Sequence, residues 1–218
     1  MLICRVATQE LTPPTSSAII QNIIALQEAG QATIAYFYFD FKDTNKQDLR
    51  NALPSILTQL SARSDSYCDI LCHVHKAHNN GAYKPNNKTM IKCLKEMLAL
   101  PNQSPVYIVL DALDECPNIS GIPSAREEVL NFLKDLVGAQ LSNLHICVTS
   151  RPEVDIRAAI EPLAFHHLSI HDQKGQKQDI EDYIRFVVYA KSDTAMGRWR
   201  YQDKDLVIDT LSEKADGM

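Results

Sequence analysis

Three carboxylates near the end of one apolar run are the residues of this chain whose types and spacing could do chemistry. Asp111, Asp114 and Glu115 follow the run VYIVL at residues 106–110. Such a run is typical of a strand buried on both faces of a parallel sheet, and ligands bind at the carboxyl ends of such strands. Three acids at that position can hold a hydrated Mg²⁺ and polarise a water molecule. The alternative for this segment alone is a strand followed by a solvated acidic turn.

A second apolar run ends in a group that could complete a phosphate site. Residues 144–149 read as another buried strand, and Ser150, Arg151 and Pro152 follow it. The guanidinium fork of Arg151 suits a phosphate, where its charge would stabilise a phosphoryl group in transfer. An isolated arginine at such a turn is better explained by a surface ion pair. Two strands that end in complementary parts of one site favour the functional interpretation.

The elements that must position these residues alternate between strand and helix along the chain. Runs rich in β-branched and aromatic residues predict strands, and apolar stripes at helical spacing predict helices. The predicted strands span residues 2–6, 33–41, 106–111, 144–149 and 164–170. The predicted helices span residues 15–28, 47–60, 66–78, 88–100, 125–138, 152–160, 178–188 and 203–214. This alternation predicts a parallel sheet of about five strands with helices on both faces.

Length and composition limit the classes of protein to which the chain could belong. A chain of 218 residues can bury one sizeable core, and 45% hydrophobic with 22% charged residues is typical of a globular domain. The net charge of −5 argues against a general binder of nucleic acid or membrane surfaces, and no apolar run approaches the roughly 20 residues that span a bilayer. The six cysteines are scattered and the first residues make a poor secretion signal, so we expect reduced thiols and a cytoplasmic protein.

Several segments resemble one family of signalling NTPases. The letters YIVLDALDEC at residues 107–116 and CVTSRPE at 147–153 resemble the Walker B and sensor segments of NACHT-type STAND P-loop NTPases. The best match is the nephrocystin 3-like N-terminal domain family of filamentous fungi. Further resemblance lies in AYFYFDF at 35–41, LRNALPSILTQL at 49–60, HNNGAYKP at 78–85 and KADGM at 214–218. The likeness extends from about Ser16 to the end of the chain.

The resemblance implies a fold and a domain organisation. The fold is an α/β, three-layer P-loop NTPase of the ASCE type, in which helices flank a parallel sheet. The implied organisation is a degenerate first strand and P-loop region at 1–15, a NACHT-like nucleotide-binding-type domain at 16–172 and a partial helical extension at 173–218. In the family, an amino-terminal effector region and carboxy-terminal repeats flank this domain, so the resemblance implies a truncated module here.

The resemblance also implies a role for each residue of the site, with Mg-ATP or Mg-GTP as the cofactor. Asp111 would hold Mg²⁺ through water, and the catalytic residues Asp114 or Glu115 would orient the attacking water. The residues implied to bind the nucleotide are Thr149, Ser150 and Arg151. Of these, Arg151 would sense the γ-phosphate.

The chain departs from the family at the phosphate-binding loop. A P-loop needs glycines whose N–H groups curl around the phosphates, a lysine that reaches them, and a hydroxyl for Mg²⁺. Residues 6–14 read VATQELTPP, and the first glycine and lysine of the chain are Gly30 and Lys42. An alignment without gaps puts Thr12 at the lysine position and Pro13, which lacks an N–H, at the hydroxyl position. We therefore expect weak nucleotide binding and no ATP or GTP hydrolysis, which an intact loop would allow.

The missing loop leaves alternatives open. The first hypothesis is a truncated NACHT-like signalling module that keeps Walker B and the sensor arginine but is deficient in hydrolysis. The second is a non-catalytic interaction module, or a gene fragment, that associates with intact NACHT-family proteins and with neither nucleic acid nor membranes. Residues 1–14 can also be explained by a wrong start, intron or reading frame, since the resemblance begins abruptly near Ser16.

A group of cysteines and histidines between residues 68 and 78 raises the question of a metal site. Cys68 and Cys72 lie four residues apart on a predicted helix, and His73, His75 and His78 follow. Zinc sites more often combine Cys and His pairs from separate elements. A plain helix with a buried cysteine face is therefore the favoured interpretation.

Overall fold

The computed structural model of the chain describes residues 2–7, 14–118, 123–164, 166–169, 176–189 and 199–215. The chain divides into two compact units, Met1–Leu168 and Ser169–Met218. The first contains both of the motifs that could do chemistry. No helix among the residues that the structure describes is both long and apolar enough to cross a membrane.

The described strands form one five-stranded sheet in the order β2-β3-β4-β1-β5. The strands are β1 Leu2–Ala7, β2 Thr33–Tyr38, β3 Val106–Asp111, β4 Leu144–Ser150 and β5 His166–Ser169. Parallel pairing joins β2 to β3, β3 to β4, and β4 to β1. The predicted parallel sheet of about five strands is confirmed, and its order makes the two strands that carry the motifs direct neighbours.

Eight α-helices connect or follow the described strands. They are α1 Pro14–Glu28, α2 Leu49–Ser61, α3 Asp65–Ala77, α4 Asn87–Leu98, α5 Ala125–Gly138, α6 Val154–Ile160, α7 Gln176–Tyr189 and α8 Tyr201–Ala215. All eight predicted helices are present, with ends that differ by a few residues. Side-chain caps explain where three of them begin: the carboxylate of Asp48 accepts the N–H of Asn51 at the start of α2, and Asn86 and Ser124 cap α4 and α5 in the same way.

The second strand is shorter than the sequence predicts. Strand pairing was expected to continue to Phe41, but β2 ends at Tyr38. The N–H of Phe39 makes one more bond, to the carbonyl of Asp111, and Asp40 then bonds to the carbonyl of Lys46 and turns the chain away. Aromatic residues favour strand locally, and this turn overrides that preference.

The helices of the first unit cover both faces of the sheet. On one face, Ile20 and Ile23 of α1 pack on Ile34 and Val109. On the other face, helices α2 to α6 form the larger core with β2, β3 and β4, where Ile108, Leu110, Ile146 and Val148 are almost fully buried. The result is the predicted three-layer arrangement, in which β3 and β4 end side by side.

The predicted phosphate-loop region lies partly outside the described residues. The strand expected at its start is present as β1, and α1 begins at Pro14. Residues 8–13, which include Thr12 and Pro13, are outside the part of the chain that the structure describes.

Candidate functional site

The carboxyl ends of β3 and β4 bring the two sequence motifs together. The register pairs Leu110 with Val148, so Asp111 lies beside Thr149. The hydroxyl of Thr149 donates a hydrogen bond to Asp111 Oδ1 and accepts one, of 2.9 Å, from the N–H of Ala112. Thr149 is buried, so this hydroxyl fixes both the carboxylate and the turn that follows it.

The turn after Asp111 is made in an unusual backbone conformation. Ala112 has φ 55° and ψ 48°, in the left-handed region that costs a non-glycine residue about 1–2 kcal/mol. A short 3₁₀ turn, Leu113–Glu115, follows directly. Leu113 is fully buried and anchors this turn, so Asp114 and Glu115 project from a fixed point at the edge of the sheet.

Asp114 is held by the other motif. Its Oδ1 accepts the N–H of Arg151 at 2.9 Å, and its Oδ2 lies 3.4 Å from Arg151 Nε. The side chain of Asp114 is only 10% exposed, whereas that of Arg151 is 46% exposed. An ion pair was the alternative explanation for Arg151, and the arginine does make one. Its partner, however, is Asp114, an acid of the site itself.

Glu115 points to the segment that follows β2. Its Oε2 accepts the N–H of Phe41 at 3.2 Å, just beyond the end of β2. The three acids thus contact two segments, the end of β4 through Thr149 and Arg151 and the segment after β2 through Phe41. Among the residues that the structure describes, no group of three or more His, Cys, Asp or Glu side chains is placed to hold a metal ion. Asp111 is the member placed at the strand end, and its role as the Mg²⁺ residue, like the catalytic roles of Asp114 and Glu115, stays a prediction.

Ser150 carries a buried hydroxyl for which the described residues offer no partner. The residue is 1% exposed, and its Oγ makes no hydrogen bond. It lies in register with Ala7, the last residue of β1 and the one that leads into residues 8–13. A buried hydroxyl without a partner is costly, so this position is one where a polar ligand group fits.

Arg126 holds the acidic turn from behind. This side chain of α5 is 9% exposed. Its Nε donates to the carbonyl of Cys116 at 2.9 Å and its Nη2 to the carbonyl of Asp114 at 2.5 Å. Its Nη1 lies 3.3 Å from Asp155, near the start of α6. One guanidinium therefore joins the segment that carries Asp114 to the helix that follows Arg151.

Tyr38 extends the row of polar side chains across the sheet. It pairs in register with Asp111, so both side chains point to the face covered by α1. Burial raises the pKa of the Tyr38 phenol, and the negative charge of Asp111 raises it further. The row formed by Tyr38, Asp111 and Thr149 is thus neutral at one end and negatively charged in the middle.

Sequence reasoning missed Tyr38 and Arg126, although both left a signal. Tyr38 lies near the end of a predicted strand that runs beside the acidic one. Arg126 shares the apolar stripe of α5 with Val129, Leu130 and Leu133, which are three, four and seven residues further on. A charged side chain in the buried stripe of a helix needs partners, which is the pattern that identifies such a residue.

The candidate zinc ligands on α3 are not brought together into a cage. Cys68 and Cys72 are close, with 3.9 Å between their sulfur atoms. His78 Nδ1 lies 2.9 Å from the carbonyl of Val74, and the ring of His75 lies against Gly81. The described residues therefore form no zinc cage on α3. Cys68 and Cys72 are both exposed, so the expectation that they form a buried face is wrong.

Comparison with known families places the chain. The profile described as nephrocystin 3, N-terminal, matches residues 15–151. The chain belongs to this family. The match begins one residue after the start of α1 and ends at Arg151, so it includes the three acids, Thr149, Ser150 and Arg151. None of the curated protein sequences compared with the chain matches it.

Solved structures identify the fold of this nephrocystin 3 N-terminal domain. It is similar to the Orc1 protein of Aeropyrum pernix in complex with DNA, with a TM-score of 0.50 and 12% identity over 84% of this chain and 42% of that one. For the Aeropyrum pernix Orc2 protein, in ADPNP and ADP complexes, the TM-score is 0.44 and the identity 11%, over 84% of this chain and 44% of that one. For Drosophila ORC bound to AT-rich DNA and Cdc6, the TM-score is 0.41 and the identity 10%, over 97% of this chain and 69% of that one. This chain spans about two fifths of the length of the two archaeal proteins.

Two sequence predictions are confirmed by these comparisons. The resemblance to the nephrocystin 3 N-terminal family is confirmed by the family match. The α/β P-loop NTPase fold is confirmed by the likeness to Orc1, which at 12% identity concerns the fold alone. The roles of Asp111, Asp114, Glu115, Ser150 and Arg151 stay predictions.

Proposed function

We propose that this nephrocystin 3 N-terminal domain is a NACHT-like, STAND-type signalling module that keeps the Walker B acids and the sensor arginine but does not hydrolyse ATP or GTP. The observation that carries the proposal is the ion pair between Asp114 and Arg151 at the carboxyl edge of a P-loop NTPase sheet. Acid and arginine come from neighbouring strands and meet where ligands bind in such sheets.

The acidic half of the site fits a magnesium nucleotide. Asp111 stands at the end of β3 with one carboxylate oxygen bonded to Thr149, and the buried hydroxyl of Ser150 is without a partner in the described residues. Bound Mg²⁺ would neutralise charge on the phosphates. Arg151 is half exposed and can turn from Asp114 towards a phosphate, since its other contact with Asp114 is made by its backbone N–H.

The sequence of the phosphate-loop half of the site, residues 6–14, does not fit a nucleotide. The phosphates of a nucleotide need backbone N–H groups and a lysine, and residues 6–14 supply neither glycine nor lysine and include two prolines. Charge-assisted contacts of this kind contribute about 1.5–3 kcal/mol each. Loss of two or more of them shifts a micromolar dissociation constant to roughly the millimolar range. Binding this weak, without a lysine to stabilise charge in the transition state, leaves no hydrolysis.

The experiment is calorimetric titration of the purified chain with Mg·ATP and Mg·GTP. A restored variant, with Leu11→Gly, Thr12→Lys and Pro13→Thr, supplies the missing loop chemistry in the same chain. We expect no micromolar binding by the natural sequence and at least about a tenfold gain in affinity by the restored one. Adding Asp111→Ala or Arg151→Ala to the restored variant should remove that gain.

Each half of the proposal has a contrary outcome. Micromolar binding by the natural sequence, weakened by Asp111→Ala, would show that the site works without its lysine. A restored variant that is folded by circular dichroism but gains nothing would show that the acids and the arginine do not form a nucleotide site.

A second candidate function is binding to intact members of the same family, favoured by the surface of the second unit. Large apolar side chains are exposed on α7 and α8, namely Phe186, Tyr201, Leu206 and Leu211. Exposed apolar groups of this size are typical of protein contacts. We expect the chain to co-purify with a NACHT protein that has a complete glycine–lysine loop. The double variant Phe186→Ser with Leu206→Ser should lose this binding, and the control Asp209→Ser should keep it.

A further inference from the structure

Two thiols on α3 form a feature that the nucleotide site does not use. Cys68 and Cys72 are both exposed, and their Sγ atoms are 3.9 Å apart. The helix that carries them is fixed from its other side, where Tyr67 is buried in the core at 1% exposure. The two sulfur atoms are therefore presented to solvent, side by side, by a rigid element.

The spacing of the two thiols suits a bridging ion better than a disulfide. Cβ atoms four residues apart on a helix are about 5–6 Å apart, whereas a disulfide needs about 3.5–4.5 Å. Oxidation would therefore distort α3. Two metal–thiolate bonds of about 2.3 Å each are together longer than the observed 3.9 Å, so both sulfur atoms can reach one ion.

The surroundings select the class of ion. In the part of the chain that the structure describes, no third His, Cys, Asp or Glu joins the pair to make a metal cage. His75 lies three residues beyond Cys72, but its Nε2 would be 2.6 Å from a Cβ placed on Gly81, so that ring packs on the turn. A site with two soft ligands does not complete the tetrahedron of Zn²⁺, whereas thiolates are the ligands that Cu⁺ selects.

Two other cysteines, Cys93 and Cys116, are buried in the core. Burial raises the pKa of the Cys93 thiol to about 11 and that of the Cys116 thiol to about 12. Cys116 also donates its S–H to the carbonyl of Gln47 at 2.9 Å. These two thiols are enclosed, whereas Cys68 and Cys72 are exposed, so thiophilic ions meet the exposed pair first.

We propose that Cys68 and Cys72 form a two-thiolate binding site for a soft monovalent metal ion, Cu⁺. One Cu⁺ displaces the protons of both thiols, giving a Cu(S-Cys)₂ unit of charge −1 and two protons released to solvent. No oxidation or reduction takes place. The ion bridges successive turns of α3 and thereby stabilises that helix.

The experiment is anaerobic competition for Cu⁺ between the full chain and a coloured Cu⁺ chelator. The decisive control is Cys72→Ser with Lys76→Cys, which keeps the number of exposed thiols on α3 but places them about 12 Å apart along the axis. Two ligand groups that bind one ion together raise its binding affinity roughly 100-fold or more over two separate groups. We expect the natural chain to hold one Cu⁺ at least about 100-fold more tightly than this control.

Two single variants complete the test. Cys68→Ser should show the same loss as the control, with an unchanged far-ultraviolet circular dichroism spectrum because the position is exposed. His75→Ala should keep full affinity. Equal affinity of the natural chain and the control, or loss of binding in His75→Ala, overturns the two-thiolate site.

Discussion

At the scale of single residues, the geometry of the acidic turn depends on a side chain that takes no part in the predicted chemistry. Arg126 donates to two main-chain carbonyls of the turn and pairs with Asp155. A buried cation is tolerated only when its N–H groups are hydrogen-bonded. Those of Arg126 bind the turn that carries Asp114 and the helix that follows Arg151. Arg126 is thus a positioning residue for both.

Arg126→Met tests this dependence. The substitution keeps most of the side-chain volume but leaves the carbonyls of Asp114 and Cys116 without their donor. We expect the free energy of unfolding to fall by about 3 kcal/mol, as measured by urea denaturation. Hydrogen exchange of the Arg151 amide, which is bonded to Asp114, should become faster as well.

The matched control for this prediction is Arg157→Met on α6. Arg157 is exposed and pairs with Glu161 at 3.0 Å within one helix, so the expected loss is below about 0.5 kcal/mol. Equal losses in the two variants would mean that Arg126 contributes no more than a surface ion pair.

At the scale of elements, the site depends on how β3 ends. The strand stops at Asp111, and the left-handed turn at Ala112 redirects the chain into the 3₁₀ turn that presents Asp114 and Glu115. Strain of this kind is often found at functional sites, where the surrounding structure maintains it. Here the N–H of Ala112 is bonded to Thr149 and Leu113 is buried, which explains why the turn persists.

Ala112→Gly should relieve this strain. The left-handed conformation costs alanine about 1–2 kcal/mol, and the added freedom of glycine in the unfolded chain costs about 0.4–1 kcal/mol. We therefore expect a net gain in the free energy of unfolding of about 0.5 kcal/mol. Thermal and urea unfolding should both report it.

Ala139→Gly is the control for that prediction. Ala139 caps the carboxyl end of α5 with φ −71°, in the right-handed region, where glycine brings only its entropic cost. It should destabilise the protein by about 0.5–1 kcal/mol. If both substitutions destabilise the protein equally, the turn at Ala112 holds no strain.

At the scale of the whole molecule, one histidine in the sheet links stability to pH. His145 of β4 stacks on Tyr107 of β3 with ring centroids 4.7 Å apart. Burial lowers its pKa below the ordinary value of 6.5. The unfolded chain therefore binds a proton more readily than the folded one.

The sign of the effect follows from that difference. The contribution of neutral His145 to the free energy of unfolding is fully present above about pH 6.5. It is lost as the pH falls through the lowered pKa of the folded state. We expect the free energy of unfolding to decrease between pH 7 and pH 5, and His145→Phe to reduce the slope by at most about 1.4 kcal/mol per pH unit. Urea denaturation at several pH values measures it; an unchanged slope in the variant would contradict the assignment.

The sequence by itself determined the fold class and most of the elements of this protein. Apolar runs such as 106–110, capping residues such as Asp48, and helical stripes are local patterns, and each reports on its own segment. The chemistry-bearing residues Asp111, Asp114 and Arg151 could be named for the same reason, because each directly ends or follows a buried strand.

Only the tertiary structure decided which of these residues meet. That Asp114 binds Arg151, that Glu115 turns to Phe41, and that Arg126 holds the turn all depend on the order of strands and on helix packing. Partners 12 to 74 residues apart in the chain leave no periodic signal in one sequence. Turns that override local preference, as after Tyr38 and at Ala112, are set by such distant contacts as well.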